Sequence, residues 1–492
     1  MSGTSLDSPA RDAGGSFLDG LDPAPRRLIV FAVAAGVLFD VGLRGGVANA
    51  VVVAGVFVLV GALVADGRLP SLASRALAVT AVVPASFLAI RMSAWLAASN
   101  TLAIGALLTL AVTYARSGSV LDTTLRRLLR RAGRATFRGL AGPAVIRSAV
   151  PPLSSSSARR AVAVARAALT ALPFLVAIVA LLAAGDAVFA GLLLPDGGLA
   201  PAAGHAVLVP VLTAVVLCAV VASSSDQADR EHTGRFATAE VVTMLALAAA
   251  VLGLFVIAQL VALTDAGRRL VEEAGLTPAE YARSGFFQLA AATGFLVVFL
   301  AVVRALAAPE VLRRPALRAL GASVPLLATG LVVVSLRRMA LYDQAFGLTM
   351  LRVWVIGAAL WMGALLLMIA VRNLGVGGDR NWVFAGGAAV AVALVVVADV
   401  MNPEAFVVRR NLGRAAEGAD LDVAYFRQLS DDAVPALAAA TDPRLRAGLA
   451  ATLRCGDPPT GVAAVNLAAA RASAARKEAC DRDAAAARTR GR

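Results

Sequence analysis

Residues 351–371 read LRVWVIGAALWMGALLLMIAV, and residues 382–399 read WVFAGGAAVAVALVVVAD. Each stretch contains a single charged residue, Arg352 in the first and Asp399 in the second. About 20 apolar residues in an α-helix cross the roughly 30 Å hydrocarbon core of a bilayer, at 1.5 Å per residue. The two stretches therefore predict a pair of transmembrane helices joined by a short polar loop.

Similar apolar blocks recur along the chain, in which 59% of residues are hydrophobic and 16% are charged. A typical soluble protein carries about 25% charged residues. We predict an all-α fold: a polytopic transmembrane helical bundle of about 11 spans, within a range of 10 to 12, and a small helical C-terminal soluble domain. The predicted spans are 28–43, 47–65, 72–90, 95–115, 168–185, 204–222, 239–263, 285–307, 320–336, 351–371 and 382–399.

These spans divide the chain into five regions. Polar residues without a basic leader open the chain and predict a disordered tail rather than a signal peptide. The predicted regions are a disordered cytoplasmic N-terminal tail (1–27), a first transmembrane group of about four spans (28–115), a basic cytoplasmic loop (116–167), a second transmembrane group of about seven spans (168–402) and a soluble helical tail (403–492).

Arginine placement predicts the orientation. The loop 116–167 carries eleven arginines and one acidic residue, whereas 186–203 carries two acidic residues and no basic one. Cytoplasmic loops accumulate basic residues, so counting spans places the N-terminus in the cytoplasm and the C-terminal tail outside a bacterial plasma membrane. Two arginine pairs would then lie outside, against this rule: Arg337–Arg338 and Arg409–Arg410.

Two other features bear on partners and redox state. Leucines between the arginines of 120–138 allow an amphipathic helix on anionic lipids, and the alternative is a plain topology anchor. We expect membrane lipids as partners of 116–167, an envelope protein as a partner of the tail, and no nucleic acid. Cys455 and Cys480 could form a disulfide outside the cytoplasm; the alternative is two unpaired thiols.

Polar groups within or beside the spans are the candidate functional residues, because a charge in hydrocarbon costs at least about 2.5 kcal/mol. Interhelical hydrogen bonding or snorkelling is the alternative role for each. The two histidines lack carboxylates at a metal-site spacing, so we predict no catalytic, cofactor or metal site. The candidates are Asp186, Glu240, Gln259, Tyr281, Arg283, Gln288, Tyr342, Arg352, Asp399 and Asn402.

Several stretches resemble a bacterial multi-pass membrane family known as domain of unknown function 4173, related to domain 4153. The most specific are Tyr281–Gln288 (YARSGFFQ) and Asp399–Ala405 (DVMNPEA). The resemblance covers about 170–440 and leaves the first four spans outside. Family members carry a Phe-Gly-Gly-like turn where this chain has Leu263-Thr264-Asp265. The resemblance implies an integral membrane protein and no particular activity.

Three functions fit these patterns. The leading hypothesis is a non-enzymatic envelope sensor, scaffold or regulator that works through its outer tail. The alternative is a transporter or lipid-moving protein with a path lined by Glu240, Gln259, Arg352 and Asp399. The third is a glycosyltransferase that uses lipid-linked sugars, with Asp40 as its carboxylate; the short first outer loop disfavours it.

The predicted orientation can be tested by labelling Cys455 and Cys480 in intact cells with an impermeant thiol reagent, in a Cys218→Ala background. An outer tail with a disulfide should be labelled only after reduction, because a disulfide does not react with the reagent. Labelling that requires cell lysis would place the tail in the cytoplasm and reverse the predicted span parity.

Overall fold

The computed structural model describes residues 26–123 (except 45 and 117), 128, 238–262, scattered positions between 293 and 310, 313–377, 382–440, 461 and 465–490. No strand occurs in these segments. Their helices are α1 (Arg26–Arg44), α2 (Ala50–Ala65), α3 (Leu72–Thr80), α4 (Val82–Phe87), α5 (Ala94–Thr113), α6 (Thr238–Ala262), α7 (Pro315–Phe346), α8 (Met350–Asn373), α9 (Val383–Met401), α10 (Pro403–Ala416), α11 (Val423–Phe426), α12 (Val434–Ala438) and α13 (Leu467–Arg490).

Four of these helices are long and apolar enough to cross a membrane: α5, α7, α8 and α9. Large apolar side chains of α9 point away from the protein, with Val397 59% and Val400 68% exposed. A soluble protein rarely leaves such a surface uncovered, so these helices indicate a membrane protein. The predicted count of about eleven spans is not confirmed. Spans 168–185 and 204–222 lie outside the described residues.

The predicted span 72–90 is not one continuous helix. It forms α3 and α4, which are separated by a turn at Ala81. Pro84 explains the break, since proline has no N–H to donate to the carbonyl four residues earlier and its ring crowds that carbonyl. Hydropathy alone did not predict this break, because neither Ala81 nor Pro84 interrupts the apolar run.

The predicted span 320–336 is shorter than the helix that contains it. The helix α7 has 32 residues and continues past Arg337 and Arg338 to Phe346. The arginine pair ends the apolar run and therefore ended the predicted span, but arginine is a good helix former. The last turns of α7 consequently carry polar residues beyond the apolar segment.

Two apolar cores lie among the described helices. One is formed by α1–α5 around Leu63 and Leu88. The other is formed by α6, α7 and α8 around Val324 and Leu366, together with Leu300, Val303 and Ala307. The helix α9 packs against α4 and α5 on one side and α8 on the other. It therefore joins the two groups of helices.

The C-terminal helices pack on one end of this bundle. Their core contains Val408, Phe426, Leu437 and Ala472. The turns around residues 46–49, 88–93 and 347–350 each hydrogen-bond to this unit. The arginine-based topology predicts that these turns and the tail share one side. The contacts gather these turns and the tail at one end of the described helices, while the orientation in the membrane stays a prediction.

Asn466 fixes the last helix to two of these turns. Its side-chain N–H groups lie 3.0 Å from the carbonyl oxygens of Ala48, Leu88 and Arg91. Its Oδ1 accepts from the N–H of Ala468 at 2.8 Å and so caps α13. One amide thus closes the ends of two helical hairpins and begins the tail helix.

Replacing Asn466 by Ala should release α13. Each buried carbonyl left without a donor costs about 1–3 kcal/mol, so trypsin should cleave within Leu467–Arg490 several-fold faster in the variant. Mass spectrometry of limited digests in detergent measures this rate. Asn373→Ala is the control, because Asn373 donates to the carbonyl of Gly321 instead (2.6 Å). Equal rates in all three proteins would contradict this role of Asn466.

Candidate functional site

A buried polar cluster, here named the polar junction, lies where α5, α9 and the tail meet. It consists of Arg91, Ser93, Asn100, Asp399, Asn402, Glu404, Ser430 and Asp432. Its members come from two parts of the chain that are about 300 residues apart. Because they are buried, most of them pair with one another.

Asp432 binds the beginning of α5. Its Oδ2 accepts hydrogen bonds from the backbone N–H groups of Met92 and Ser93, both at 2.7 Å. The Ser93 side chain makes no capping hydrogen bond of its own. A carboxylate at this end of a helix is stabilised by the helix dipole, so Asp432 acts as a cap supplied by the tail.

Arg91 connects Asp432 to the end of α9. Its Nε donates to the carbonyl of Asp399 at 2.7 Å and its Nη2 to that of Val400 at 3.3 Å. Its Nη1 lies 3.6 Å from Oδ1 of Asp432. A cation at a helix C-terminus pairs with carbonyls that have no partner within the helix.

Asp399 lies inside the candidate span α9 and is fully buried (0% exposed). Its Oδ1 accepts a hydrogen bond from Nδ2 of Asn100 at 2.9 Å. No hydrogen-bond partner for Oδ2 of Asp399 or Oδ1 of Asn100 is present in the described structure. This pair links α5 to α9 and leaves two buried acceptor atoms unsatisfied.

Asn402 turns the chain between α9 and α10. Its φ of 53° is left-handed, a conformation that asparagine tolerates better than most residues. Its Oδ1 accepts from the N–H of Ala405 at 3.1 Å, and its Nδ2 donates to the carbonyl of Asp432 at 3.0 Å. With Pro403 at the first helical position, the sequence Asn-Pro-Glu ends one helix and begins the next.

Glu404 follows this turn and is buried against Ser430. Its Oε2 accepts hydrogen bonds from the backbone N–H and the hydroxyl of Ser430, both at 2.7 Å. Burial raises the pKa of the Glu404 carboxyl above its ordinary value, the Ser430 hydrogen bonds oppose this shift, and the nearby Asp432 adds to it.

A second cluster, here named the turn clamp, holds the α7–α8 turn against α10. Asn411 accepts from the N–H of Leu348 and donates to its carbonyl, both at 2.8 Å. Gly347 has a φ of 74°, and a Cβ there would lie 2.7 Å from Oδ1 of Asn411. The phenol oxygen of Tyr425 accepts from the N–H of Met350 at 2.7 Å. Backbone groups of the turn are thus paired with tail side chains.

Tyr342 and Arg352 complete the turn clamp from the membrane helices. The Arg352 guanidinium carbon lies 4.2 Å from the centre of the Tyr342 ring, which is a cation–π contact. Arg352 also donates to the carbonyl of Gly347. Burial raises the pKa of the Tyr425 phenol beside them, so this hydroxyl stays protonated at neutral pH.

The predicted site residues fall into three groups. The structure brings Tyr342 to Arg352 in the turn clamp and places Asp399 and Asn402 in the polar junction. Glu240 and Gln259 lie near opposite ends of α6, and their side chains are outside the described part. The remaining predicted residues also lie outside it: Asp186, Tyr281, Arg283, Gln288 and Cys455. Cys480 is disulfide-bonded, while its pairing with Cys455 stays a prediction.

Several residues of the two clusters were missed by sequence reasoning. Asn100 carries no formal charge and therefore was not counted among the costly intramembrane groups, although an amide in an apolar run is also a signal. Asn411 and Asp432 lie in the polar tail, where such residues are common. In the described segments, no group of three or more His, Cys, Asp or Glu side chains is arranged to hold a metal ion.

Comparison with known families gives one match. Residues 75–440, about three quarters of the chain, match the family described as a domain of unknown function (DUF4153). The match begins at Arg75 and therefore includes most of predicted span three and all of span four, which we expected to lie outside the family region, whereas predicted spans one and two precede it. Searches of curated proteins and of solved structures found no match.

The raised pKa of Glu404 predicts a pH-dependent stability. Above the ordinary pKa of 4.5, the folded protein holds this proton while the unfolded chain loses it. Folding stability therefore falls as the pH rises towards the raised pKa. In Glu404→Gln this dependence should disappear, so the variant should gain stability relative to the wild type as the pH rises from 4.5.

Thermal unfolding in detergent at a series of pH values measures this difference. Glu417→Gln is the control, because Glu417 is exposed at the end of α10, and its difference from the wild type should not change with pH. A pH-independent difference for Glu404→Gln would contradict the prediction.

Proposed function

Because the chain belongs to the DUF4153 family, whose description states no function, we propose its role from the contacts of its own residues. The protein is a non-enzymatic regulator, sensor or scaffold of the bacterial cell envelope. It works through its C-terminal helical unit, which faces outwards and binds an envelope protein, while the basic loop 116–167 binds anionic lipids.

The observation that carries this proposal is the docking of the tail on the membrane helices. Three tail side chains, Asp432, Asn411 and Asn466, bind backbone groups of the turns that join membrane helices. A partner that displaced the tail would remove those hydrogen bonds and leave buried backbone groups unpaired. Events at the tail would therefore be transmitted to the spans.

The tail also offers a surface of its own. The helix α13 carries six basic and three acidic residues over its 24 residues. Arg476 pairs with Asp431 at 2.5 Å, and Arg482 donates to the carbonyl of Ala438 at 2.9 Å. These contacts hold one side of the helix on the tail core, and the remaining charges suit an acidic or mixed-charge protein partner.

Transport is the second candidate, and the burial of Asp399 in a span favours it. A carboxyl group in such a position is typical of ion and proton pathways. Arg352, however, contacts the Tyr342 ring and the Gly347 carbonyl at the beginning of α8. These contacts remove one residue from the proposed path. A loss of flux in Glu240→Gln and Asp399→Asn at unchanged protein level would favour transport.

The glycosyltransferase alternative gains no support. Asp40 is buried (1% exposed) and pairs with Arg44 one turn later on α1 at 3.0 Å. A carboxylate that acts on a lipid-linked sugar must be accessible to it. Asp40 instead fits a structural ion pair at the end of a membrane helix.

Loss of the tail should reproduce loss of the whole protein. In the native host, deletion of 405–492 and Asn411→Ala should both produce the envelope-stress sensitivity and expression profile of a null strain, with the spans still inserted. Asn411→Ala removes two buried hydrogen bonds, a loss of about 1–3 kcal/mol each, which is enough to undock the turn.

Asn373→Ala serves as the matched control, because it removes one hydrogen bond at the opposite end of α8. Immunoblots of membrane fractions show whether each variant is inserted at the wild-type level. A tail-deleted strain that behaves as the wild type would exclude the tail as the working part.

A further inference from the structure

The polar junction contains more buried acceptors than donors. Three carboxylate or amide oxygens, Oδ2 of Asp399, Oδ1 of Asn100 and Oδ1 of Asp432, receive no hydrogen bond from the described residues, and the buried hydroxyl of Ser93 has no partner there either. The three residues are 0%, 0% and 3% exposed, respectively. A buried carboxylate or amide oxygen without a partner costs about 1–3 kcal/mol or more, so three in one place need a physical explanation.

Contacts already described link these three side chains to one another. The Asp399 and Asn100 side chains are joined by a 2.9 Å hydrogen bond. The unsatisfied Oδ2 belongs to the bonded carboxylate of Asp399, and the unsatisfied Oδ1 belongs to the bonded amide of Asn100. Arg91 spans the distance to Asp432, with its Nε on the Asp399 carbonyl (2.7 Å) and its Nη1 3.6 Å from Asp432.

The charge balance of the junction is also negative. The junction contains three acidic side chains (Asp399, Glu404 and Asp432) and one guanidinium, that of Arg91, which pairs with Asp432. Arg91 directs two of its three nitrogens to backbone carbonyls, which leaves one nitrogen for Asp432. Even with Glu404 protonated, two carboxylates face one cation, so the junction favours a further positive charge.

The place of Asp399 in the fold favours the same sign of charge. Asp399 lies in the last turn of α9, where the helix dipole is negative. In membrane transporters, helix C-termini and unwound carbonyls near interrupted helices coordinate small cations. Asn402 interrupts the helical path between α9 and α10 at this point.

We propose that Asp399, Asn100 and Asp432 bind one small monovalent cation of the sodium class. Carboxylate and amide oxygens are hard ligands that suit such an ion. The described residues provide no cluster of three ligating carboxylates, histidines or cysteines, which disfavours a transition metal. The proposal does not depend on the proposed function, because it uses only the contacts of the junction.

A bound cation would join the tail to the membrane helices. Asp432 belongs to the tail, whereas Asn100 and Asp399 belong to α5 and α9. An ion shared by these three side chains stabilises the docked arrangement, and its loss leaves two carboxylates to repel each other. Sodium should therefore raise the thermal stability of the full-length protein.

The test is thermal unfolding of the purified full-length protein in nanodiscs, followed by tryptophan fluorescence. Sodium chloride is titrated against N-methyl-D-glucamine chloride at constant ionic strength and pH. Sodium should raise Tm by about 2–4 °C with saturation. In Asp399→Asn this shift should vanish. Asp343→Asn is the matched control, because Asp343 pairs with Arg410 in a different contact (3.3 Å), and it should retain the shift.

Three outcomes would overturn the proposal. The first is a Tm that does not depend on the cation at fixed ionic strength. The second is a sodium shift in Asp399→Asn as large as that of the wild type. The third is a wild-type Tm that varies with pH in sodium-free buffer but does not respond to sodium, together with a Tm of Asp399→Asn that does not vary with pH. This result would assign a proton, and not sodium, to the junction.

Sodium-23 NMR keeps the proposal testable where Asp399→Asn does not fold. The sodium-23 resonance should be broadened by exchange of sodium with the wild-type protein. It should narrow when lithium is added, because lithium competes for the site. In Asp432→Asn the broadening should fall at least several-fold. Equal broadening in the wild type and in Asp432→Asn would also overturn the proposal.

Discussion

Backbone groups at the ends of membrane helices need partners when a further unit covers them, because neither water nor lipid can then satisfy them. In this protein the C-terminal unit covers three such turns and supplies the partners itself. Asp432 binds N–H groups at the beginning of α5, Asn411 binds both groups of Leu348, and Asn466 binds three carbonyls. The tail is therefore part of the folded membrane unit and not an appended domain.

The need to pair these backbone groups also explains the positions of residues that do not themselves pair with them. Gly347 is needed because any side chain there would collide with Asn411. Asn402 directs the chain out of α9 and into α10, where Asn411 and Glu404 reach their partners. Tyr342 and Arg352 then support the same turn from the membrane side. Among the candidate site residues whose side chains the structure describes, Tyr342, Arg352 and Asn402 hold the turns that contact the tail.

Hydropathy and arginine placement predicted much of the architecture but none of the partners. The apolar runs located α5, α8 and α9 to within about two residues, whereas the number of spans and their orientation stay predictions. The contacts of Asn100 with Asp399 and of Asn466 with Leu88 could not be predicted, since they join residues about 300 or more positions apart. Local signals were misleading at Pro84, which breaks a helix, and at Arg337, which does not end one.

Asp399 differs from Asn411 and Asn466 because its partners do not satisfy both of its side-chain oxygens. Asn411 and Asn466 pair through both atoms of their amides, as expected of groups that only hold a fold together. Asp399 pairs through one oxygen, although an aliphatic side chain of similar size would pack in the same place without the electrostatic cost. Partly satisfied buried networks are costly, so the unpaired carboxylate oxygen of Asp399 is best explained by a positive ligand. The turn clamp, which is fully paired at Asn411, then holds the tail in place while the polar junction exchanges that ligand.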